Sequence, residues 1–180
     1  MHSLQGQFLV TAAHQLDPKF VELVILVVEH GDRGAFGVIL NCPREWGSCE
    51  RMPQRQSIGK ARMYFGGPVT GPLMAVHDDE SFAEHEILPG VFFAGKEENV
   101  LPLMRQKKWP YKIFTGYAGW EPKQLEYEIG QGAWRIVPGT AEHIFSSSRD
   151  LWEELSRQVY EMQLHEWYNL KHIPADPQLN

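Results

Sequence analysis

Hydrophobic positions fall in short blocks over most of this chain and take up helical spacing only in a few places. Phe8 to Ala12, Val21 to His30 and Ala35 to Asn41 have the length and the Val/Ile/Phe content of strands. The second run is unbroken from Leu23 to Val28, so neither parity is polar; this predicts a central strand covered on both faces. Gly31 to Gly34, GDRG, joins it to the third run at hairpin distance, which predicts an antiparallel pair. Met63 to Phe65, Leu73 to His77, Val91 to Ala94, Tyr111 to Tyr117 and Trp134 to Val137 add further strands, with GGPV at 66–69 as a sharp turn.

Helical rhythm appears at three sites. KEENVLPLMRQKK, 96–108, has acids first and bases last, as the helix dipole favours, with Pro102 limiting or kinking it. Pro122 stands at a natural first helical position, with Leu125 and Ile129 one turn apart and Gly130 and Gly132 as stops. Ser147, with Asp150 three residues on, opens a long C-terminal helix whose Leu151, Leu155, Val159 and Met162 form one stripe, ending near His172. Asp17 and Pro18 mark a turn before the second strand, and residues 43–62 follow neither rhythm, which predicts a long loop. The pattern belongs to the α+β class: one compact domain over 1–180, with a mixed or antiparallel sheet, flanking helices and a long C-terminal helix.

Composition removes several function classes. The chain has 180 residues, 43% of them apolar, which is enough for a sizeable core. A net charge of -6 and a pI near 5.7 weigh against a nucleic-acid binder. RQKKWPYK, Arg105 to Lys112, is the basic and aromatic stretch that runs against this, and its plainer reading is a helix end entering a strand. No run approaches the roughly 20 apolar residues of a bilayer span, and no charged segment precedes the first apolar run, so we expect a cytoplasmic protein without membrane contact. Cys42 and Cys49 are too few for a disulfide framework and are expected to be reduced. Cys42 beside Arg44 is a candidate reactive thiol; the plainer reading is an inert, partly buried cysteine.

No phosphate-binding glycine loop, nucleophile elbow, Cys-x-x-Cys or His-x-x-x-His is present. The densest donor cluster is His77-Asp78-Asp79-Glu80 followed by Glu84-His85-Glu86. It offers oxygen and imidazole donors to a divalent metal if the two histidines approach, or else it is a solvated acidic loop. Glu29 and His30, at the end of the second strand, make an acid/base pair, although strand neighbours point to opposite faces. GYAGWEPKQLEYE, 116–128, is either a glycine cradle or a strand-to-helix corner, and its glycines and proline have sufficient backbone reasons for the corner. No catalytic, cofactor or metal set is assigned.

DPKFVELVILVVEHGDRGAFGVILNCP at 17–43, GGPV at 66–69 and GYAGWEPKQLEYEIGQGAW at 116–134, in this order, resemble the AlgH/YqgE family of bacterial proteins, a family of unknown function. The likeness runs over residues 4–156, leaving 157–180 as an atypical C-terminal extension. The resemblance implies a bacterial, cytoplasmic α+β domain with no established activity and no cofactor; a role in transcriptional regulation is attached to one branch by its name alone. The signature positions are Glu29, His30, Asn41, Gly66, Gly67, Pro68, His77, Gly116, Tyr117, Gly119 and Trp120, and none carries a known chemical role. The chain departs from the family pattern in a short 41–66 connection, in TGPLMAVH without the usual arginine, and in its end from Tyr160 onward. The reading is a non-enzymatic protein acting through protein contacts. The alternative is a small-molecule or metal-dependent enzyme built on Glu29, His30 and Asn41.

Overall fold

The structure, a computed structural model, describes residues 3–12, 21–42, 63–106, 110–146 and 150–171. The expected turn at Asp17-Pro18, the 43–62 loop, the cap at Ser147 and the tail beyond 171 lie outside the described residues.

The strands are β1 (Gln7–Thr11), β2 (Val24–Gly31), β3 (Gly34–Ile39), β4 (Met63–Phe65), β5 (Val69–His77), β6 (His85–Leu88), β7 (Val91–Ala94), β8 (Tyr111–Trp120) and β9 (Trp134–Pro138). They form one sheet in the order β6-β7-β5-β8-β3-β2-β1-β9, with β4 also on β8. The β4–β8 pair is parallel and the other pairs are antiparallel, so the sheet is mixed. The helices are α1 (Glu97–Arg105), α2 (Gln124–Gly130), α3 (Ala141–Phe145) and α4 (Leu151–Lys171).

The sheet curls until its two ends meet. Gln5, just before β1, donates its side-chain amide to the Glu86 carbonyl of β6 at 2.9 Å, and Gly139, just after β9, lies so close to Leu88 of β6 that a Cβ there would stand 3.2 Å from its side chain. The inner face therefore holds one continuous cluster drawn from both ends: Phe8, Leu26, Val38, Val76, Ile87, Phe93, Phe114 and Val137, closed by Ile144 of α3 and Leu151 and Leu155 of α4. The outer face divides. Ile25, Val27, Ile39, Trp120 and Trp134 pack under Leu125 of α2, while Ala75, Ala94, Tyr111 and Ile113 pack under Val100 and Leu103 of α1. As expected, β2 is buried on both faces from Val24 to Val28.

Two bulges decide which side chains face which way. In β8, Phe114 and Tyr117 both belong to the inner face although they are three positions apart, while Ala118 and Trp120 face outward. Gly116, at φ +71, takes up the extra residue. In β2 the register shifts between Val27 and Glu29, so Glu29 opposes the inner-facing Phe36 and His30 opposes the outer-facing Ala35. The Gly116 bulge is possible only because Gly66 and Gly67 lie flat against it. A Cβ on Gly67 would fall on the Tyr117 carbonyl carbon, and one on Gly66 would fall on the Gly116 oxygen.

Several boundaries differ from the sequence expectation. β8 does not end at Gly116-Tyr117 but passes through the bulge to Trp120. β5 begins at Val69, directly after the glycines, because Val69 pairs with Tyr117 across a second irregularity. β6 and α3 fall in segments whose polar content hides them: β6 is an edge strand and α3 a single capped turn. The α2 helix starts at Gln124, after Lys123 in a left-handed conformation at φ 67, rather than at Pro122. α1 keeps Pro102 inside it. The stripe of α4 buries Leu151 and Leu155 and half-buries Val159, but Met162 is exposed, since the helix outruns the sheet. Cys42 is disulfide-bonded, against the expectation of reduced thiols, and Cys49 lies outside the described residues.

Candidate functional site

Of the signature positions, His30 and Trp120 meet at the corner where α2 packs on the sheet. His30 Nδ1 accepts the Leu4 amide at 3.0 Å, and His30 Nε2 lies 3.2 Å from Glu126 Oε1. The backbone donor fixes the tautomer: Nδ1 carries no proton, and Nε2–H donates to the carboxylate. Both nitrogens of a nearly enclosed ring, 6% exposed, are thus engaged, and no lone pair is left for general-base work. Beside it, the indole N–H groups of Trp120 and Trp134 both donate to Glu128 Oε2, at 2.9 and 2.8 Å, and Gln124 donates to Oε1 of the same carboxylate at 2.9 Å. The two indoles meet edge to face at 6.2 Å. Glu128 thereby satisfies two buried donors that the outer cluster could not otherwise accommodate.

Asn41 is a backbone staple. Its Oδ1 accepts from Val24 N at 3.0 Å and its Nδ2 donates to the Glu22 carbonyl at 2.7 Å. Val24 begins β2 and His30 lies near its end, about 20 Å away at strand rise. Glu29 is exposed on the inner side and His30 faces outward, so Glu29, His30 and Asn41 do not converge, contrary to what the enzyme reading requires. Tyr117 is half-buried, with Phe36 edge-on at 6.0 Å and Gly71 and Gly119 against its ring. Gly66, Gly67 and Gly116 serve backbone contact, and Pro68 is exposed beside them.

The acidic cluster sits at the other outer corner, against α1. Asp79 Oδ1 accepts from the Ser81 amide and hydroxyl at 3.1 and 2.6 Å, and its Oδ2 accepts from Gln106 Nε2 at 3.3 Å. Those bonds, the Ser81 hydroxyl first, hold the Asp79 pKa below the usual carboxylate range. Glu84 Oε1 accepts from Gly95 N, Lys96 N and Asn99 Nδ2 at 2.9, 2.7 and 3.2 Å, at the N-terminus of α1. Burial opposes its charge, but the Lys96 and Gly95 amides outweigh burial and lower its pKa. A cavity of about 300 Å³ lies here, lined by Asp78, Asp79, Glu80, Leu103, Gln106, Pro110 and Tyr111.

The metal reading of this cluster fails on sheet parity. His77 pairs with Phe92, and His85 pairs with Phe93, on successive residues of β7, so the two imidazoles project from opposite faces. Among the described residues no group of His, Cys, Asp and Glu is placed to hold a metal ion. Among the described residues His77 is fully buried with no well-formed hydrogen bond at either ring nitrogen, although the Asp79 backbone lies close to it, and His85 Nε2 is also buried without one. Burial pushes the His77 pKa below its ordinary value, opposed by the Asp79 backbone and by the charges of Asp79, Asp78 and Glu84.

The basic stretch does not make one exposed patch. Arg105 is exposed at the end of α1, whereas Lys112 is 4% exposed, donates to the Ser146 carbonyl at 2.9 Å and stands over the Tyr64 ring at 4.7 Å. Lys107, Lys108 and Trp109 lie outside the described residues. Sequence reasoning gave no role to Glu128 and counted Glu84 only among the donors of the metal candidate. The signal for Glu128 is its place between two tryptophans at -8 and +6; Glu84 has none, because its partners come from the turn and helix that follow β7. Among the described residues no helix is long and apolar enough to cross a membrane.

A curled, mostly antiparallel sheet with α1 and α2 on its outer face and α3 and α4 closing the inner one defines an α+β protein of a particular architecture. The chain belongs to the DUF179, AlgH-like family, whose profile matches residues 8–164. It is 32% identical over 159 residues to a UPF0301 protein of Chlorobaculum tepidum, covering 84% of each chain. It is 35% identical over 159 residues to a UPF0301 protein of Myxococcus xanthus, covering 83% of this chain and 87% of that one. The fold is that of the AlgH protein from Pseudomonas aeruginosa, with a TM-score of 0.69 at 24% identity over 89% of each chain.

Proposed function

We propose that this protein works through contacts with a protein partner in the bacterial cytoplasm, and that its signature positions build the fold instead of a catalytic centre. The observation that carries the reading is the outer half of α4, where Tyr160, Met162, Leu164, Trp167 and Tyr168 are exposed. Large apolar side chains grouped on one helix are the usual material of a protein interface. The engagement of His30, Asn41 and Glu128 in fold-building bonds supports the same reading. A regulatory role of the kind the family name suggests would then pass through that partner.

Site-specific photo-crosslinking in bacterial cells tests this. A crosslinker at position 164 is expected to give discrete protein adducts that a crosslinker at position 127, exposed on α2, does not give. Identical adduct patterns from the two positions overturn the proposal.

A further inference from the structure

The segment from His77 to Glu84 grips α1 at both ends. Glu84 holds the N-terminus through the Gly95 and Lys96 amides, and Asp79 holds Gln106, the residue that caps the C-terminus. Beside this grip lies His77, fully buried and, among the described residues, without a well-formed hydrogen bond at either nitrogen, with the Asp79 backbone near enough to favour its protonated form. A buried imidazole without well-formed bonds gives up the hydrogen bonds it would make in water, and burial favours its neutral form. The groups facing it differ by element. β7 presents the Phe92 ring at 6.2 Å and β8 presents Tyr111 opposite it in register, and Leu103 of α1 belongs to the same outer cluster as that Tyr111. The charges acting on it are carboxylates of its own segment: Asp79, Asp78 and Glu84. Glu86 of β6, opposite Phe92, is exposed and its carboxylate is bonded to Gly90 N at 2.8 Å.

We propose that the segment is an acid-operated latch: at neutral pH Asp79 holds Gln106, and when His77 takes up a proton Asp79 turns to the imidazolium and releases the C-terminal end of α1. The arrangement supplies each part. The ring has no well-formed bond to give up, and burial makes its charged form need an anion beyond the Asp79 backbone already near it. Asp79 is two residues away and remains an anion in the range where a histidine titrates, because its bonds to Ser81 and Gln106 hold its pKa down. The bond that must break, Gln106 to Asp79 at 3.3 Å, is long, and it ties the last turn of a helix whose first turn is held independently by Glu84. Release would loosen Leu103 over Tyr111 and widen the cavity of about 300 Å³ between them.

The test uses the full chain labelled with 15N. Amide exchange is followed from pH 7.5 to 5 and corrected for intrinsic rates, alongside the His77 ring resonances. Opening at Leu103 to Gln106 is expected to increase by up to about tenfold per pH unit once the ring protonates, the limit for one linked proton. Gln124 to Gly130 of α2 should stay level. His77→Phe should abolish the step, and Asp79→Asn, which leaves the ring in place but removes its anion, should move the step to lower pH. The proposal is overturned if α1 exchange does not respond to pH, if the response survives in His77→Phe, or if Asp79→Asn leaves its position unchanged. Should His77→Phe not fold, the Asp79→Asn comparison decides alone.

Discussion

The α2 and α1 helices lie on the same outer face of one sheet, and carboxylates tie both down, yet the two corners are built oppositely. At the α2 corner each buried polar group has a partner: His30 with Leu4 and Glu126, and Trp120 and Trp134 with Glu128. At the α1 corner the surface ties are made but the group beside them, His77, is left without a well-formed bond at either ring nitrogen. A satisfied network fixes one arrangement, because every alternative strands a donor. An unsatisfied buried group stores a cost that a change of protonation can redirect. The family signature contributes His30 and Trp120 to the first corner and His77 to the second.

The variant with the largest expected effect abolishes the comparison by removing the frame both corners hang from. Gly67→Ala puts a methyl against the Tyr117 carbonyl carbon at a φ of +152, and the backbone of β8 cannot yield without moving Trp120. The expected loss is about 3 kcal/mol or more, measured by urea unfolding. A loss below about 1 kcal/mol would mean that the close approach can relax and that the signature glycines need another explanation.

Next in size is the α2 network. Glu128→Ala leaves two indole N–H groups, in residues 8% and 4% exposed, without an acceptor. At about 1–3 kcal/mol for each stranded donor, the expected cost is about 2–6 kcal/mol, with a changed near-ultraviolet tryptophan spectrum. Glu128→Gln keeps one acceptor oxygen and should cost about 1 kcal/mol. Equal losses for the two variants would show that the side chain packs and does not bond.

These two corners also mark how far the sequence could be read. The strand blocks from Phe8 to Ile39 were legible because Val- and Ile-rich runs without a polar parity admit few alternatives. The corner at Gly116 was legible as a corner, but its register was not. A bulge is a choice between two faces made by contact with Gly66 and Gly67, about fifty residues earlier in the chain. β6 was hidden because an edge strand with His85 and Glu86 alternates like a polar loop. The metal candidate failed for a related reason: eight residues of spacing between His77 and His85 say nothing about parity across an intervening strand, and β7 separates them. The exposure of Met162 was invisible because periodicity gives the face of a helix and not where its support ends.

The pH dependence of stability sharpens the comparison further. The His77 pKa is lowered in the folded protein, so the unfolded chain takes the proton first as pH falls. Stability should therefore be full above the ordinary value of 6.5 and decline below it, down to the folded pKa. Urea midpoints measured from pH 7.5 to 5 should show this decline in the wild type and a flatter profile in His77→Phe. Parallel profiles would place the acid sensitivity elsewhere.

The smallest effect separates the two ends of α1. Glu84→Gln keeps an oxygen facing the Gly95 and Lys96 amides but removes the charge that favours a helix N-terminus, so about 0.5–1 kcal/mol is expected. The Glu84 pKa is lowered from 4.5, so its charge stabilises the fold above that value, and the benefit disappears as pH falls through the folded pKa. The difference between wild type and Glu84→Gln should accordingly persist at pH 6, where His77 is already responding, and close only below about pH 4.5. Two acid steps in different ranges, one removed by each substitution, would assign the N-terminal and C-terminal holds on α1 to separate groups. A single step lost in either variant would instead make the whole segment one cooperative unit, with Glu84 and His77 titrating as parts of it.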